Sequence, residues 1–383
     1  MRPVIRSLLG AAAFACLPSL LAAQESAGSA DSSGHWSLDI PVRGYGISFG
    51  NSARFTGLRF NWQDAGLDRI VGINVTLWKP GKPVTGAVDG LALGIAGPAA
   101  GELNGVAIGV AGVVAQERAR GLLVGGLGVV SQGSLDGIAL AGLGLVAQGS
   151  MHGLDVAGLG TVSQGDMAGA SVAGLGVVSQ GSLSGFAFSG LGVVAQASMT
   201  GIFASGLGTV SQGDLAGVSV SGLASVAQGD VKGLHAAGLA IVAQGDLTGV
   251  TASGLATVAQ GSLSGLNVAG AAIVAQGRVR GISVAGLAVV GETGIGGLTV
   301  AAYQVRTARA SGITIAGINL KAGAMRGLSV SAFNQIRGVQ AGIAIGLLNY
   351  ARELHGIQVG LINIARNNAS PFEVLPLLNV HGR

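Results

Sequence analysis

From about Gly90 to Val300 the apolar positions follow neither the two-residue alternation of a lone strand nor the 3.6-residue spacing of an amphipathic helix. They recur in blocks of sixteen, close to G-L-x-x-V-[AS]-Q-G-[SD]-L-x-G-x-x-[VA]-[AS]. Glutamine marks the phase. Eleven stand sixteen apart, from Gln116 to Gln276, and Glu292 takes the next place. Valine lies two before each, from Val114 to Val290, and Leu, Met or Val lies three after in nearly every copy. Glycine lies five after, from Gly121 to Gly297, and again ten after, from Gly126 to Gly286. A fixed period of this length means one small unit stacked many times.

Each unit carries two short runs of Val, Ile and Thr, each beginning near a glycine. Glycine in a helix interior costs about 1 kcal/mol, and these side chains favour strands, so the chain reads as all-β with glycine at corners. The expected architecture is a parallel β-solenoid of about 15–16 residues per coil, with equivalent residues stacked about 4.8 Å apart. In such a stack Gln132, Gln148, Gln164, Gln180, Gln196, Gln212, Gln228, Gln244, Gln260 and Gln276 would form an amide ladder of the cross-β kind, and Val and Leu would fill the inside. The alternative is an antiparallel outer-membrane β-barrel with one strand and one turn per repeat. Three features favour the solenoid. All turns share one chemistry, whereas such barrels alternate short turns with long loops. Aromatic girdles are missing, since Phe186, Phe188 and Phe203 are the only aromatics between Trp78 and Tyr303. Neither alternating face of a repeat is polar enough to line a lumen. The mean hydropathy of +0.61 points the other way.

The ends differ from the middle. Residues 1–23 read as a signal peptide: Arg2 and Arg6, an apolar run from Leu8 to Leu21, then Ala22 and Ala23. Cys16, the one cysteine, lies inside it, so cleavage leaves a chain without thiols; lipid attachment at Cys16 is the competing reading. Residues 24–34 are a small, polar, flexible leader. Residues 35–86 hold all three tryptophans, Trp36, Trp62 and Trp78, in runs of strand composition, and are expected to cap the stack. The repeats occupy 87–366, and 367–383 close the other end, with Pro371 and Pro376 discouraging further strand addition. After Val300 the period tightens. Asn319, Asn334, Asn349 and Asn363 each follow a glycine by seven, at spacings of 15, 15 and 14. They read as an asparagine column that takes over the ladder from glutamine. Val-Thr-Ala-Ser separates Gly249 from Gly254 in the core, whereas Ile-Gln-Val separates Gly356 from Gly360 in the tail. Losing one residue there points to a corner or bulge.

GIAIGLLNYA (342–351) and GIQVGLINIA (356–365) resemble the G-[LIV]-Q-[IV]-G-L-[IV]-N-[IV]-A unit of bacterial, leptospiral-type surface-repeat proteins. The resemblance covers about 312–366 well and the 90–300 core less, because the core has Gln for Asn and a longer unit. It implies an exported protein at the envelope or cell surface, and it brings no catalytic residue with it. The core also resembles, more distantly, the S-V-A-x-G repeats of trimeric adhesin heads, which are shorter and end in a membrane anchor.

Charge narrows the choice of function. The formal net charge is +4, with charged residues only 10% of the chain. Between Arg120 and Arg278 there is no Arg, one Lys (Lys232) and six Asp. A nucleic-acid partner needs a basic stripe, so none is expected. The G-L-G units lack the third glycine and following helix of a nucleotide loop. The five histidines share no repeat column and no H-x-x-x-H pair, short of the converging ligands a zinc site needs. Serines fill the small-residue columns rather than a triad. The reading is therefore non-enzymatic, with no cofactor. Asp214, Asp230 and Asp246 occupy the same turn position in consecutive copies. They are weak calcium candidates, set against solvated turn residues, because calcium takes six to eight oxygens and each turn offers one carboxylate. The position three before glutamine, from Val129 to Ile273, makes a flat apolar strip. Facing out, it would bind an envelope surface, a membrane or another protein; facing in, it leaves some other column outside. The expected function is that of a structural or adhesive element of the bacterial envelope, with a pore-type barrel protein as the alternative.

Overall fold

The computed structural model describes residues 36–42, 45–78 and 84–382. The proposed signal peptide with Cys16, and the leader, lie outside the described residues. The body Ser37–Arg383 is one compact unit. Its described residues are about three-quarters strand with no helix. Among the described residues thirty-four strands form one continuous hydrogen-bonded sheet, wound into a parallel β-solenoid of about 19 turns.

One coil shows how the sequence does this. Leu247–Ser253 forms a strand, Gly254 and Leu255 turn a corner, Ala256–Ala259 forms a second strand, and Gln260 to Ser262 turn the next corner. The first strand pairs in parallel with Leu263–Ala269 in the register Leu247↔Leu263, Gly249↔Gly265 and Ser253↔Ala269. The second pairs with Ala272–Ala275 in the same way, Thr257↔Ile273. Residue n therefore lies on residue n+16 throughout the core. Consecutive units run in the same direction, which rules out the antiparallel barrel and with it the pore built on one.

A third bend sits inside the longer strand. Gly233 has φ +120, and a Cβ there would lie 2.0 Å from the carbonyl oxygen of Gly217 in the preceding coil. The bend turns by a left-handed residue and lets successive backbones approach to hydrogen-bonding distance, both of which need glycine.

The interior is built from alternate positions. Leu247, Thr251, Ser253, Thr257 and Ala259 are buried, while Val250, Ala252 and Leu255 are exposed. The strip three before glutamine faces inward: Val129, Leu145, Val177, Ile241 and Ile273 are fully buried. It is not the docking strip considered above. The valines two before glutamine point outward and are half-buried or exposed, which corrects the expectation that they fill the core. Alternation forces this outcome: Ala or Ser one before glutamine is buried with its partner two residues earlier, so the valine between must face out.

At the amino-terminal end β1 (Ser37–Val42) pairs antiparallel with β2 (Tyr45–Gly50). From β2 onward the pairing is already parallel: β2 on β3 (Arg54–Gln63), β3 on β4 (Arg69–Trp78), and β4 on β5 (Ala87–Gly94). Parallel winding thus reaches back to Gly46, and within the span 35–86 expected to cap the stack only β1 and the unusual interior of the next coils differ from the repeats. At the other end Val374–His381 lies antiparallel on the last coil, from Gly356↔His381 to Ile364↔Val374, and covers its edge.

Candidate functional site

Stacking brings each repeated side chain into a column, so the columns are the candidate sites. The glutamines Gln148 through Gln276 sit at an exposed corner, and Gln116 and Gln132 are half-buried. Their backbone amides join the coils, for example Gln148 N–H to the Ser131 carbonyl at 2.9 Å. No side-chain hydrogen bond among the described residues joins one column glutamine to the next. The expected glutamine ladder is therefore a column without a ladder. An amide in water loses nothing by bonding to solvent, so nothing enforces the contact.

The asparagines behave differently. Asn334 Nδ2 donates to Asn349 Oδ1 at 2.8 Å, and Asn349 Nδ2 donates to Asn363 Oδ1 at 2.7 Å, with all three side chains fully buried. The same amides also cap carbonyls of Ile345, Val359 and Gly360. Asn319 is not part of this ladder. It registers with Gln304 and Phe333, while its neighbour Leu320 registers with Asn334. The buried column runs Val289, Val305, Leu320, Asn334, Asn349. It continues the interior strip three before glutamine, not the glutamine column. The cause is one residue lost at the corner between Val330 and Phe333, where the register drops from Ile315↔Val330 to Asn319↔Phe333. The corner reading of the shorter period holds; the identity drawn between the two columns does not.

Asp214, Asp230 and Asp246 form a ladder of another kind. Asp214 Oδ1 accepts the Asp230 backbone N–H at 2.8 Å, Asp230 Oδ1 accepts that of Asp246 at 2.9 Å, and Asp246 Oδ1 accepts that of Ser262 at 2.7 Å. Asp166 does the same for Ser182. The backbone bond from Asp246 and the Lys232 ammonium, 2.9 Å away, hold the Asp230 carboxyl below the usual range. Each carboxylate is thus turned onto the next turn's amide, which explains the column without a cation. Among the described residues no three His, Cys, Asp or Glu converge as metal ligands.

The interior holds chemistry that the repeat pattern conceals. One buried column reads Ser48, Arg59, Asn74 near the start and Asp155, Ser171, later Ser219, His235, Thr251, Asn267. Arg59 is fully buried. Its guanidinium donates to Asp64 Oδ1 at 2.7 Å and Asn74 Oδ1 at 2.8 Å, and Asp64 also accepts from Asn61 and Thr76. This polar plug fills the first coils. Farther along, Ser219 Oγ and His235 Nδ1 lie 2.8 Å apart, and Thr251 Oγ1 donates to Asn267 Oδ1 at 2.8 Å. Burial pushes His235 down and pushes Asp155 up to about 7. The only sequence signal of these groups is a charged, imidazole or amide residue in a column filled chiefly by Ala, Ser and Thr, with Leu123 and Phe203.

The outside is apolar on two sides. Nine leucines from Leu127 to Leu255 form an uninterrupted ridge at one corner, each 44–57% exposed. Beside it run the outward valines and a column of Gly or Ala. The longer strand shows a second apolar face through Ile138, Leu154, Phe186, Ile202 and Leu234. The third side, at the Gln-Gly-[Ser/Asp] turns, is polar. No protein-family model, curated protein or solved structure matches this chain.

Proposed function

We propose that this chain is an exported, non-enzymatic repeat protein of the bacterial envelope, a structural or adhesive element that works through its regular outer faces. One observation carries the reading: the outer columns of the solenoid are Leu, Val, Ile and Phe over about half its coils, while hydroxyls, amides and the carboxyls of Asp64 and Asp155 lie inside. Contiguous exposed apolar area on this scale marks an interaction surface. The amino-terminal Arg-then-apolar segment and the likeness of 312–366 to surface-repeat proteins supply the address.

The test is made in a bacterium that produces the full chain. The mature protein should begin near Gln24 by mass spectrometry and sit in the envelope fraction. Urea or high salt should release it, because a stack held by its own backbone bonds needs no bilayer to close its sheet. An intact amino terminus in the cytosol would overturn the export reading. Release by detergent alone would replace a surface element with an embedded one.

A further inference from the structure

The polar side of the solenoid changes character after Gln276. In the core its outward positions carry mostly Ser, Asp, Thr and Ala, with His152 and Lys232, and the stretch from Gly121 to Gly277 has no arginine. From Arg278 to Ala341 there are six arginines and one lysine against a single carboxylate, Glu292. Register gathers four of the arginines. Arg278 pairs with Gly294 and Arg280 with Gly296, while Gly296 pairs with Ser311 and Ser311 with Arg326. Arg309 lies beside Gly294 on the next coil, its carbonyl oxygen 3.5 Å from where a Cβ would stand. Two glycines thus replace long side chains in the middle of an arginine cluster, and the gap is a notch of about 490 Å³. Its floor is apolar and buried, formed by Ile295, Ala310 and Met325. None of the four guanidinium groups forms an ion pair among the described residues. Glu292 sits at the preceding corner and is not part of the lining.

We propose that this notch binds a compact, multiply charged phosphate compound, either free in solution or as the headgroup of a lipid. Guanidinium forks match phosphate oxygens in paired hydrogen bonds. Arg278 and Arg309 stand two coils apart, roughly 10 Å, a separation that closes on one small anion from both sides. The volume falls in the range of small-molecule sites. The glycines create the space and the arginines its selectivity. The site stands whether or not the envelope reading holds.

The experiment titrates the purified chain at low ionic strength with inorganic pyrophosphate, and separately with phosphatidylcholine vesicles lacking or containing phosphatidic acid. Two variants attack the notch by different routes. Arg278→Gln with Arg309→Gln removes charge. Gly294→Val with Gly296→Leu fills the space and leaves every charge in place; neither glycine has a left-handed φ, and the closest atoms a Cβ would meet are at 3.5 Å and 3.1 Å. Arg306→Gln, exposed on another column paired with Val290, is the control. Circular dichroism checks that all three fold. Both notch variants should weaken binding tenfold or more, and the control less than twofold. Binding of pyrophosphate assigns a free ligand, and notch-dependent binding of acidic vesicles alone assigns a lipid headgroup. Equal loss in the control, no loss on filling the notch, or no binding by either probe would overturn the site.

Discussion

At the residue scale the solenoid is governed by one atom that is missing. The glycine at the strand bend recurs from Gly57 to Gly356 because its backbone is left-handed and its neighbour's carbonyl occupies the place of a Cβ. Gly233→Ala should therefore destabilise the protein by about 3 kcal/mol or more, read as a shift of the urea midpoint. Gly208→Ala should be near neutral: its φ is not left-handed, a Cβ would meet its nearest atom at 3.3 Å, and Ala224 already fills the equivalent place in the next coil. Asp155 gives the second residue-scale expectation. Its folded value of about 7 lies above the ordinary 3.8 because burial disfavours the charge, and the Ser171 hydrogen bond offsets only part of that. The native state then holds a proton that the unfolded chain has released, so the contribution of Asp155 to stability is fully present below about pH 4 and is lost as pH rises to about 7. The full difference is ~4 kcal/mol. Asp155→Asn should flatten that window in denaturation curves measured from pH 4 to 8, and an unchanged slope would show that Asp155 is not the group responsible. His235 works in the opposite sense, losing stability as pH falls below its unfolded value.

At the element scale the unit is the coil, and its boundaries are set by register. Residue n on n+16 means that removal of one whole period reconnects matching columns. Deleting 176–191 joins Leu175 to Gly192 and restores the Gly-Leu-Gly corner. Stability in such stacks is a sum over units and neighbouring interfaces, so this variant should keep its strand spectrum and unfold within a few degrees of the parent. Deleting 176–183 instead moves the chain by half a period, setting Val193 at the left-handed place of Gly185 and the ridge residue Leu191 at the buried place of Leu183, and should yield insoluble protein. Solubility and far-ultraviolet circular dichroism distinguish the two. Element-level features were unevenly legible. The corner where one residue is lost follows from the Gly-to-Gly spacing alone. Which asparagines stack does not, because Asn319 and Asn334 stand equally far from their glycines and only pairing shows that one is outside the ladder.

At the scale of the whole molecule neither the inside nor the outside is of one kind: a core chiefly of Ala, Val, Leu, Ile and Met also holds polar groups, and much of the outside is apolar. Small hydroxyl residues, His235, Asn267 and the Arg59–Asp64 pair are interior, and the leucine ridge and outward valines are exterior. Interior polarity is partly offset because stacking hands several of these groups a partner from the next coil, as between Ser219 and His235 or Asn334 and Asn349, while the Thr161 and Ser283 hydroxyls have none among the described residues. Exterior apolarity is the property that the proposed envelope role uses. The arginine notch departs from both patterns, since it combines charge, exposed space and a break in the repeat at one place.

The amino-acid sequence by itself determined that the chain is a stack. A sixteen-residue period with glycines at fixed places permits strands and corners, and uniform turns favour parallel coils over a barrel. Tertiary structure alone decided which columns face in. Hydrophobic patterning assigns a strand's faces only when one of them is polar, and here Val258 outside and Ile273 inside are equally apolar. Contacts that span the winding, the asparagine ladder, the aspartate-to-amide ladder, the Arg59 plug and the four-arginine notch, likewise needed the fold. They depend on which residue lies above which, and a shift of one position at a single corner changes the answer.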